Sequence, residues 1–468
     1  AGRMLRPCWG AALAPRRGLR GLATAAEYLR GLVKVDYEAL GSDRTALRDD
    51  EQPLAAVRTF LELLGSPHKE LKAVCHVVGS KGKGSTGAIL SSIMSRSGLR
   101  VGTYTSPHVV SLGERVLIDG EPREDDELLG YFRAHEPAVM EAQERTGWRL
   151  SFFEALTALS IKYFVEAGAD LAVVEAGLGG ARDATNVFDP PGLRVVVVTP
   201  LEREHTEVLG DTIEEIASAK VGVVKPGTPV VVAPQSSLAL ENLVAAEAER
   251  LGCGGVIRAS RECHVAYSVS SEGARDYMFA LGGAEAWEIR DCLVPQFVAE
   301  NARTAIAAAA VLAPGFGVEI GQADVAGALR GSGLPGRFQV LGGGAAVLDG
   351  AHTQRSARVL VDSLLDLFPG RPVVFAVAMG ADKRPGTFLG ELARARPREV
   401  VCTAFEGSLK EGGLLRAARE AGLAASAEAD FGKALEVAEA RAAEVGAVVV
   451  ATGSFRTVRE YLLRRGAG

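Results

Sequence analysis

Short β-branched apolar runs recur along the chain, each bounded by Gly or Pro. "AVCHVVG" (73–79), "LAVVEAG" (171–177), "LRVVVVTP" (193–200) and "TPVVVAP" (228–234) form a first series. Runs this continuous suit strands buried on both faces. Between them lie amphipathic stretches such as 86–97, 152–167 and 212–220. The alternation predicts a parallel sheet covered by helices, an α/β fold. A second series, "AAVLDGA" (345–351), "RPVVFAVAM" (371–379), "REVVCTA" (398–404) and "GAVVVATGS" (446–454), predicts a second sheet. The Gly/Pro-rich "GSGLPGRFQV" at 331–340 separates the two series and marks the domain boundary. Segment 254–292 alternates and reads as antiparallel hairpins decorating the first domain.

Bulk properties exclude several classes. With 468 residues, 47% apolar, the chain can bury large cores in two or three domains. A net charge of −6, with no basic block beyond the N-terminus, argues against nucleic acid as the main partner. No apolar run approaches the ~18 residues needed to span a bilayer. The six cysteines include no C-x-x-C pair, so they read as reduced, mostly buried thiols of an intracellular enzyme. Residues 1–26 carry arginines but no acid before Glu27, a composition that suits a transit peptide rather than a secretory signal. That predicts an unstructured 1–26, domains at 27–333 and 338–468 with a hinge at 334–337, and the mitochondrial matrix, or alternatively plastid or cytoplasm.

Six clusters carry polar chemistry. "GSKGKGST" (79–86) follows one strand and opens a helix expected near Ser85–Thr86. Gly79, Gly82 and Gly84 let the backbone curl around an anion that faces the helix N-terminus. Lys83 would meet β- and γ-phosphates, and Ser85 or Thr86 would offer a hydroxyl to phosphate or metal. "YTSPH" exposes Ser106 and His108 at a strand end, as an ordinary turn or as part of a site. Glu175 ends a buried strand, where a carboxylate is solvated, paired or metal-bound. Asp183, Thr185 and Asn186 follow, to contact substrate or cap a helix. His205 sits among acids, and Lys220 ends an apolar-flanked helix, either snorkelling to solvent or functional. Asp349 and His352 follow a strand of the second domain, as do Asp382 and Lys383, and Arg337 lies at the hinge. All but the hinge arginine fall after strands, where α/β enzymes keep their chemistry.

In order, G-S-K-G-K-G-S-T, T-S-P-H, E-A-G-L-G-G-A-R-D-A-T-N, H-T-E-V-L-G, K-V-G-V-V-K, P-G-R and D-G-A-H resemble the folylpolyglutamate synthase/dihydrofolate synthase family, amide ligases related to the Mur ligases. The resemblance implies a P-loop ATPase domain, a smaller Rossmann-like C-terminal domain, and a monomer with its active site in the cleft. It implies ATP with two Mg²⁺ ions and a monovalent cation. Lys83 matches the P-loop lysine; Ser106, Glu175 and His205 match the metal ligands; Lys220 matches a carbamylated lysine that also serves the metal. Arg337, Asp349, His352 and Asn301 match residues around the nucleotide, and His108, Asp183, Thr185, Asp382 and Lys383 fall on the substrate side. Glu204 replaces the usual aspartate before His205, Thr353 and Arg456 depart from their motifs, and Phe297–Val298 replace the H-Q that normally precedes the asparagine.

Two activities share this scaffold: joining the first L-glutamate to dihydropteroate, and extending glutamate tails on reduced folates. "SFFEALTALSIKYF" (151–164), "GGARDATN" and "DGAHT" look more like plant-type dihydrofolate synthases. A Mur-type cell-wall ligase would need a UDP-binding domain ahead of the P-loop strand, for which 27–73 leaves little room. A non-catalytic nucleotide switch would not need Glu175, His205 and Lys220 together.

Overall fold

The computed structural model describes residues 19–33, 52–269, 275–283, 286–331 and 333–465. The first sheet contains β1 (Val74–Val78), β2 (Val101–Tyr104), β3 (Val116–Ile118), β4 (Glu121–Pro122), β5 (Leu171–Glu175), β6 (Leu193–Val198), β7 (Val230–Val232) and β8 (Val256–Arg258). Their order is β4-β3-β2-β5-β1-β6-β7-β8. All neighbours are parallel except β2–β3 and β3–β4. Alternate side chains of one strand enter two cores: Val74 and Val78 one, Cys75 and Val77 the other. That two-sided burial is why the strands read as unbroken apolar runs. β1 sits centrally, with its carboxyl end where successive connections leave for opposite edges, the position at which open α/β sheets bind ligands.

Strands β9 (Cys263–Val269), β10 (Arg275–Leu281) and β11 (Trp287–Cys292) form an antiparallel sheet appended to the second core, as the alternation predicted. Its expected first segment behaves differently: Val256–Arg258 extends the main sheet in parallel. The C-terminal sheet runs β12-β13-β17-β14-β15-β16, from β12 (Gln339–Leu341), β13 (Ala346–Leu348), β14 (Val373–Val377), β15 (Glu399–Cys402), β16 (Ala425–Ala427) and β17 (Val448–Thr452). Only β12 is antiparallel to its neighbour.

One expectation is corrected here. The N-terminal segment through residue 18 lies outside the described residues, but Leu19–Leu32 is a helix, so a break at 26 falls inside a folded element. Ala25, Ala26, Leu29 and Val33 are buried in the first core, and Tyr28 donates to Glu136 of the helix Asp125–Thr146. Among the described residues no helix is long and apolar enough to cross a membrane.

Several contacts join the two domains. Arg355, at the start of the helix Gln354–Leu367, pairs with Glu202 at 3.0 Å. Arg275 of β10 pairs with Asp366. The rings of Phe297 and Phe338 meet edge to face at 6.3 Å.

Candidate active site

The glycine loop is built by steric necessity. Gly79 has φ +143°, and a Cβ there would lie 2.0 Å from Thr199 Oγ1. Gly82 has φ +81°, caps the helix Lys83–Arg96, and leaves room for Asn301, whose Oδ1 would stand 2.6 Å from an added Cβ. Asn301 thus reaches the loop from the helix Gln296–Leu312 although Phe297 and Val298, four and three residues before it, depart from the family motif. The helix starts at Lys83, two residues earlier than expected, so the free N–H groups of its first turn belong to the glycine loop itself. Ser80 and Lys81 N–H donate to Pro200 O at 3.0 and 3.1 Å and fix the loop against β6. Thr86 Oγ1, in the helix's first turn, is buried with no hydrogen-bond partner. An orphaned hydroxyl at a helix N-terminus is matched to a ligand oxygen.

Glu175 stands beside this turn. Its carboxylate accepts from Thr105 Oγ1 and, at 3.0 Å, from Ser106 N–H. A Cβ on Gly84 would lie 3.2 Å from Glu175 Oε2, which places the carboxylate against the positive end of the helix. Thr105, the first residue of the T-S-P-H motif, orients the Glu175 carboxylate, a role that shows only once the strand ends are brought together.

On the other side of the loop two ammonium groups meet one carbonyl. Lys83 Nζ donates to Gly79 O at 3.1 Å and Lys220 Nζ to the same oxygen at 3.0 Å. Burial first, then the Lys83 charge, pulls the Lys220 pKa down to about 8, with Glu204 and Asp183 opposing. Glu204 Oε1 is 3.9 Å from Lys220, while its Oε2 takes Lys81 at 2.9 Å, so this glutamate bridges the lysines. His205 follows with φ +51°, a strained backbone of the kind that clusters at functional sites. Burial holds its imidazole neutral-leaning, its pKa below the usual value.

Asp183 and Thr185, expected near substrate, are spent internally. Both are buried, and Asp183 accepts from Leu178 N–H at 2.8 Å, Thr185 N–H at 3.0 Å and Thr185 Oγ1 at 2.6 Å. Since a carboxylate only accepts, the Thr185 hydroxyl donates to it, and His76 Nε2–H must donate to Thr185 Oγ1, 2.8 Å away. Burial and the Lys225 charge drive the His76 pKa down to about 3, so the ring is neutral as this chain of bonds requires. The relay ties β1, which carries the glycine loop, to the loop after Glu175. His76→Leu removes the donor and is expected to lower stability by about 1–2 kcal/mol and to reduce kcat. His76→Gln, which restores an N–H at similar reach, should recover most of both in urea titration and turnover assays.

The C-terminal domain closes the site. Arg337 stacks over Phe455, 4.4 Å from its centroid, and its charge faces both Glu175 and Asp349. Leu334 Cδ1 lies 2.9 Å from where a Gly84 Cβ would be. Asp349 accepts from Phe338 and Ala351 N–H, each at 2.8 Å, and burial raises its pKa to about 6. His352 Nδ1 contacts Gly350 O at 2.8 Å. Asp382 and Lys383 pair with each other at 2.6 Å on an open surface. His108 is not drawn to the phosphate loop; its Nδ1 accepts from Arg115 Nε at 2.8 Å.

Bacillus subtilis dihydrofolate synthase/folylpolyglutamate synthase is 31% identical over 337 residues, covering 70% of this chain and 76% of that protein. The chain belongs to the folylpolyglutamate synthase/dihydrofolate synthase family. It is therefore an ATP-dependent ligase by family, with the two-domain α/β fold described above. Residues 336–455 match the family model of the Mur ligase glutamate ligase domain. A probable bifunctional folylpolyglutamate synthase/dihydropteroate synthase of Haloferax volcanii is 32% identical over 423 residues, 85% of this chain. The chain spans only 49% of that relative. Among solved structures, Mycobacterium tuberculosis folylpolyglutamate synthase complexed with ADP superposes with TM-score 0.79 at 26% identity, over 95% of this chain and 98% of that one.

Proposed function

We propose that the protein is a dihydrofolate synthase, joining L-glutamate to 7,8-dihydropteroate at the cost of ATP. The reading rests above all on one arrangement: the glycine loop with Lys83, flanked by the Glu175 carboxylate and faced by Arg337 of the other domain. The pteroate carboxylate attacks the γ-phosphorus, the bond to the β-phosphate oxygen breaks, and ADP leaves an acyl phosphate. The glutamate amine then attacks the acyl carbon, the C–O bond to phosphate breaks, and the nitrogen loses a proton. The loop N–H groups and Lys83 hold the phosphates in line, and Arg337 meets the transferred group across the cleft. Asn301, at the edge of the loop, would meet the nucleotide base.

Among the described residues no group of three or more His, Cys, Asp or Glu side chains could hold a metal by itself. Mg²⁺ asks for less: one or two carboxylates, with phosphate oxygens and water completing its shell. Glu175, with Ser106 beside it and the unpartnered Thr86 hydroxyl in the adjoining helix turn, fits that demand. His205 sits with Lys220 and Glu204 across the loop as a second donor group. Bound Mg²⁺ would offset charge on the transferred phosphoryl group. The lowered Lys220 pKa favours the neutral amine, which adds CO₂ and loses a proton to become a carbamate, a further oxygen ligand.

The choice of dihydropteroate rests on the sequence "GGARDATN"; folylpolyglutamate synthesis is the second reading. The arginine-bearing, acid-free segment ahead of the helix Leu19–Leu32 supports action in the mitochondrial matrix. Purified protein given ATP, Mg²⁺ and L-glutamate should release ADP and form amide with dihydropteroate. Turnover with tetrahydrofolate alone would overturn the assignment in favour of tail extension.

A further inference from the structure

The segment that follows β2 belongs to both domains at once. Val109 is buried among Leu348, Val458 and Tyr461 in a core of the C-terminal domain, and Val110 packs against the same cluster. Leu112, three residues after Val109, is buried in the core of the first domain. The other end of the segment lies in the site, where Thr105 Oγ1 and Ser106 N–H both donate to Glu175. Phe455, the ring under Arg337, packs against the cluster that holds Val109. One short stretch of backbone therefore runs from the Glu175 carboxylate to the support of Arg337.

A single side chain shapes that stretch. Glu114 Oε2 accepts from Val109 N–H at 2.7 Å, and its Oε1 accepts from Val110 and Ser111 N–H, each at 2.8 Å. Ser111 is the N-cap of the turn Leu112–Arg115, in which Glu114 holds the third position. A glutamate so placed ordinarily reaches back to the N-cap N–H alone. Glu114 takes two further N–H groups upstream of the cap, and they belong to the residues that enter the other domain. Unpaired N–H groups would oppose the burial of Val109, and the carboxylate meets that demand from within the loop. Thr105 N–H donates to Arg115 O at 3.1 Å and closes the segment on itself.

We propose that Glu114 is a positioning residue for phosphoryl transfer: it folds residues 109–111 into a plug for the C-terminal domain and so sets Thr105 and Ser106 against Glu175. It acts through the backbone and touches no substrate. Docking of the two domains and alignment of the Glu175 carboxylate are then one event, because the same turn serves both. The inference rests on the reading of Glu175 as a carboxylate of the ATP site.

Glu114→Ala is expected to lower kcat roughly 10- to 100-fold, the scale on which a small misplacement of reacting groups is felt. Calorimetric affinity for ADP should stay close to wild type, because the glycine loop is fixed from β6 and not from this segment. Glu114→Gln keeps one oxygen for Val110 and Ser111, and its kcat should fall between those of Glu114→Ala and wild type. Hydrogen exchange is the readout that a mere cap would not move. In Glu114→Ala it should rise at 105–111 and also at 455–461, in the helix Phe455–Arg465 of the other domain. Val109→Ala should act in the same direction, and the double variant should be little worse than the stronger single one, since both changes release the same plug. Additive losses of kcat in the double variant overturn the proposal, as do wild-type kcat in Glu114→Ala or exchange that rises only at 109–115. If Glu114→Ala does not fold, Glu114→Gln decides by the same two readouts, and wild-type kcat there overturns the proposal. Glu175→Gln separates the two readings. Full turnover in that variant removes the reading of Glu175 and the proposal with it, whereas an inactive Glu175→Gln beside a fully active Glu114→Ala sinks the positioning role alone.

Discussion

Lys83→Ala is expected to lower kcat by roughly 10²- to 10³-fold, the loss found when one preorganised donor to a developing transition-state charge is removed. The variant should nevertheless fold. Lys83 Nζ makes one hydrogen bond, to Gly79 O, and Lys220 Nζ donates to that oxygen too, so the carbonyl keeps a partner when Lys83 is gone. Gly82 and the helix start that shape the loop do not depend on the side chain. ADP affinity should fall less than kcat, because loop N–H groups and Asn301 remain. Lys83→Arg should not restore activity, since a planar guanidinium replaces a point charge in a space set by Gly79 and Gly82. A second effect follows from electrostatics: the Lys83 charge helps depress the Lys220 pKa, so its removal lets that pKa rise. Steady-state kinetics, calorimetry with ADP and a urea titration separate these outcomes. A variant within about threefold of wild-type kcat would show that Lys83 does not act on the transferred group.

What could be read from the sequence followed the reach of each signal. Strands buried on both faces announce themselves by composition, and β1, β5, β6, β14 and β17 fall within the expected runs. The short strands β3, β4, β12 and β16 span two to three residues each, too short for any period to show. The glycine loop was legible because strand, glycines and lysine are contiguous. Its working details are not local. Asn301 meets Gly82 across more than two hundred residues, and the His76–Thr185 bond spans 109. Asp183 looked like a substrate contact because polar residues after strands usually are; the demand of buried N–H groups for an acceptor claimed it first. Lys220 was conspicuous for its apolar flanks, yet only the fold reveals that it shares a carbonyl with Lys83.

Lys220→Met should therefore make the free protein more stable at neutral pH while abolishing turnover. The Lys220 pKa is about 8 in the folded chain against 10.5 for an ordinary lysine. Between those values the unfolded chain binds more protons, so this group's contribution to stability rises with pH through that window and is most unfavourable below it. The difference amounts to about 3 kcal/mol at pH 7. Methionine removes that penalty and fills a site only 2% exposed with apolar volume. Its losses are small: Gly79 O keeps Lys83, and Glu204 keeps Lys81 at 2.9 Å. A net gain of about 1–2 kcal/mol at pH 7 is expected, shrinking as pH is raised from about 8 toward 10.5. In bicarbonate, carbamylation of wild-type Lys220 should raise the intact mass at neutral pH by one CO₂. Urea titrations at several pH values decide the matter. A Lys220→Met protein less stable than wild type at pH 7 would mean that the ammonium is held by its neighbours better than its burial suggests.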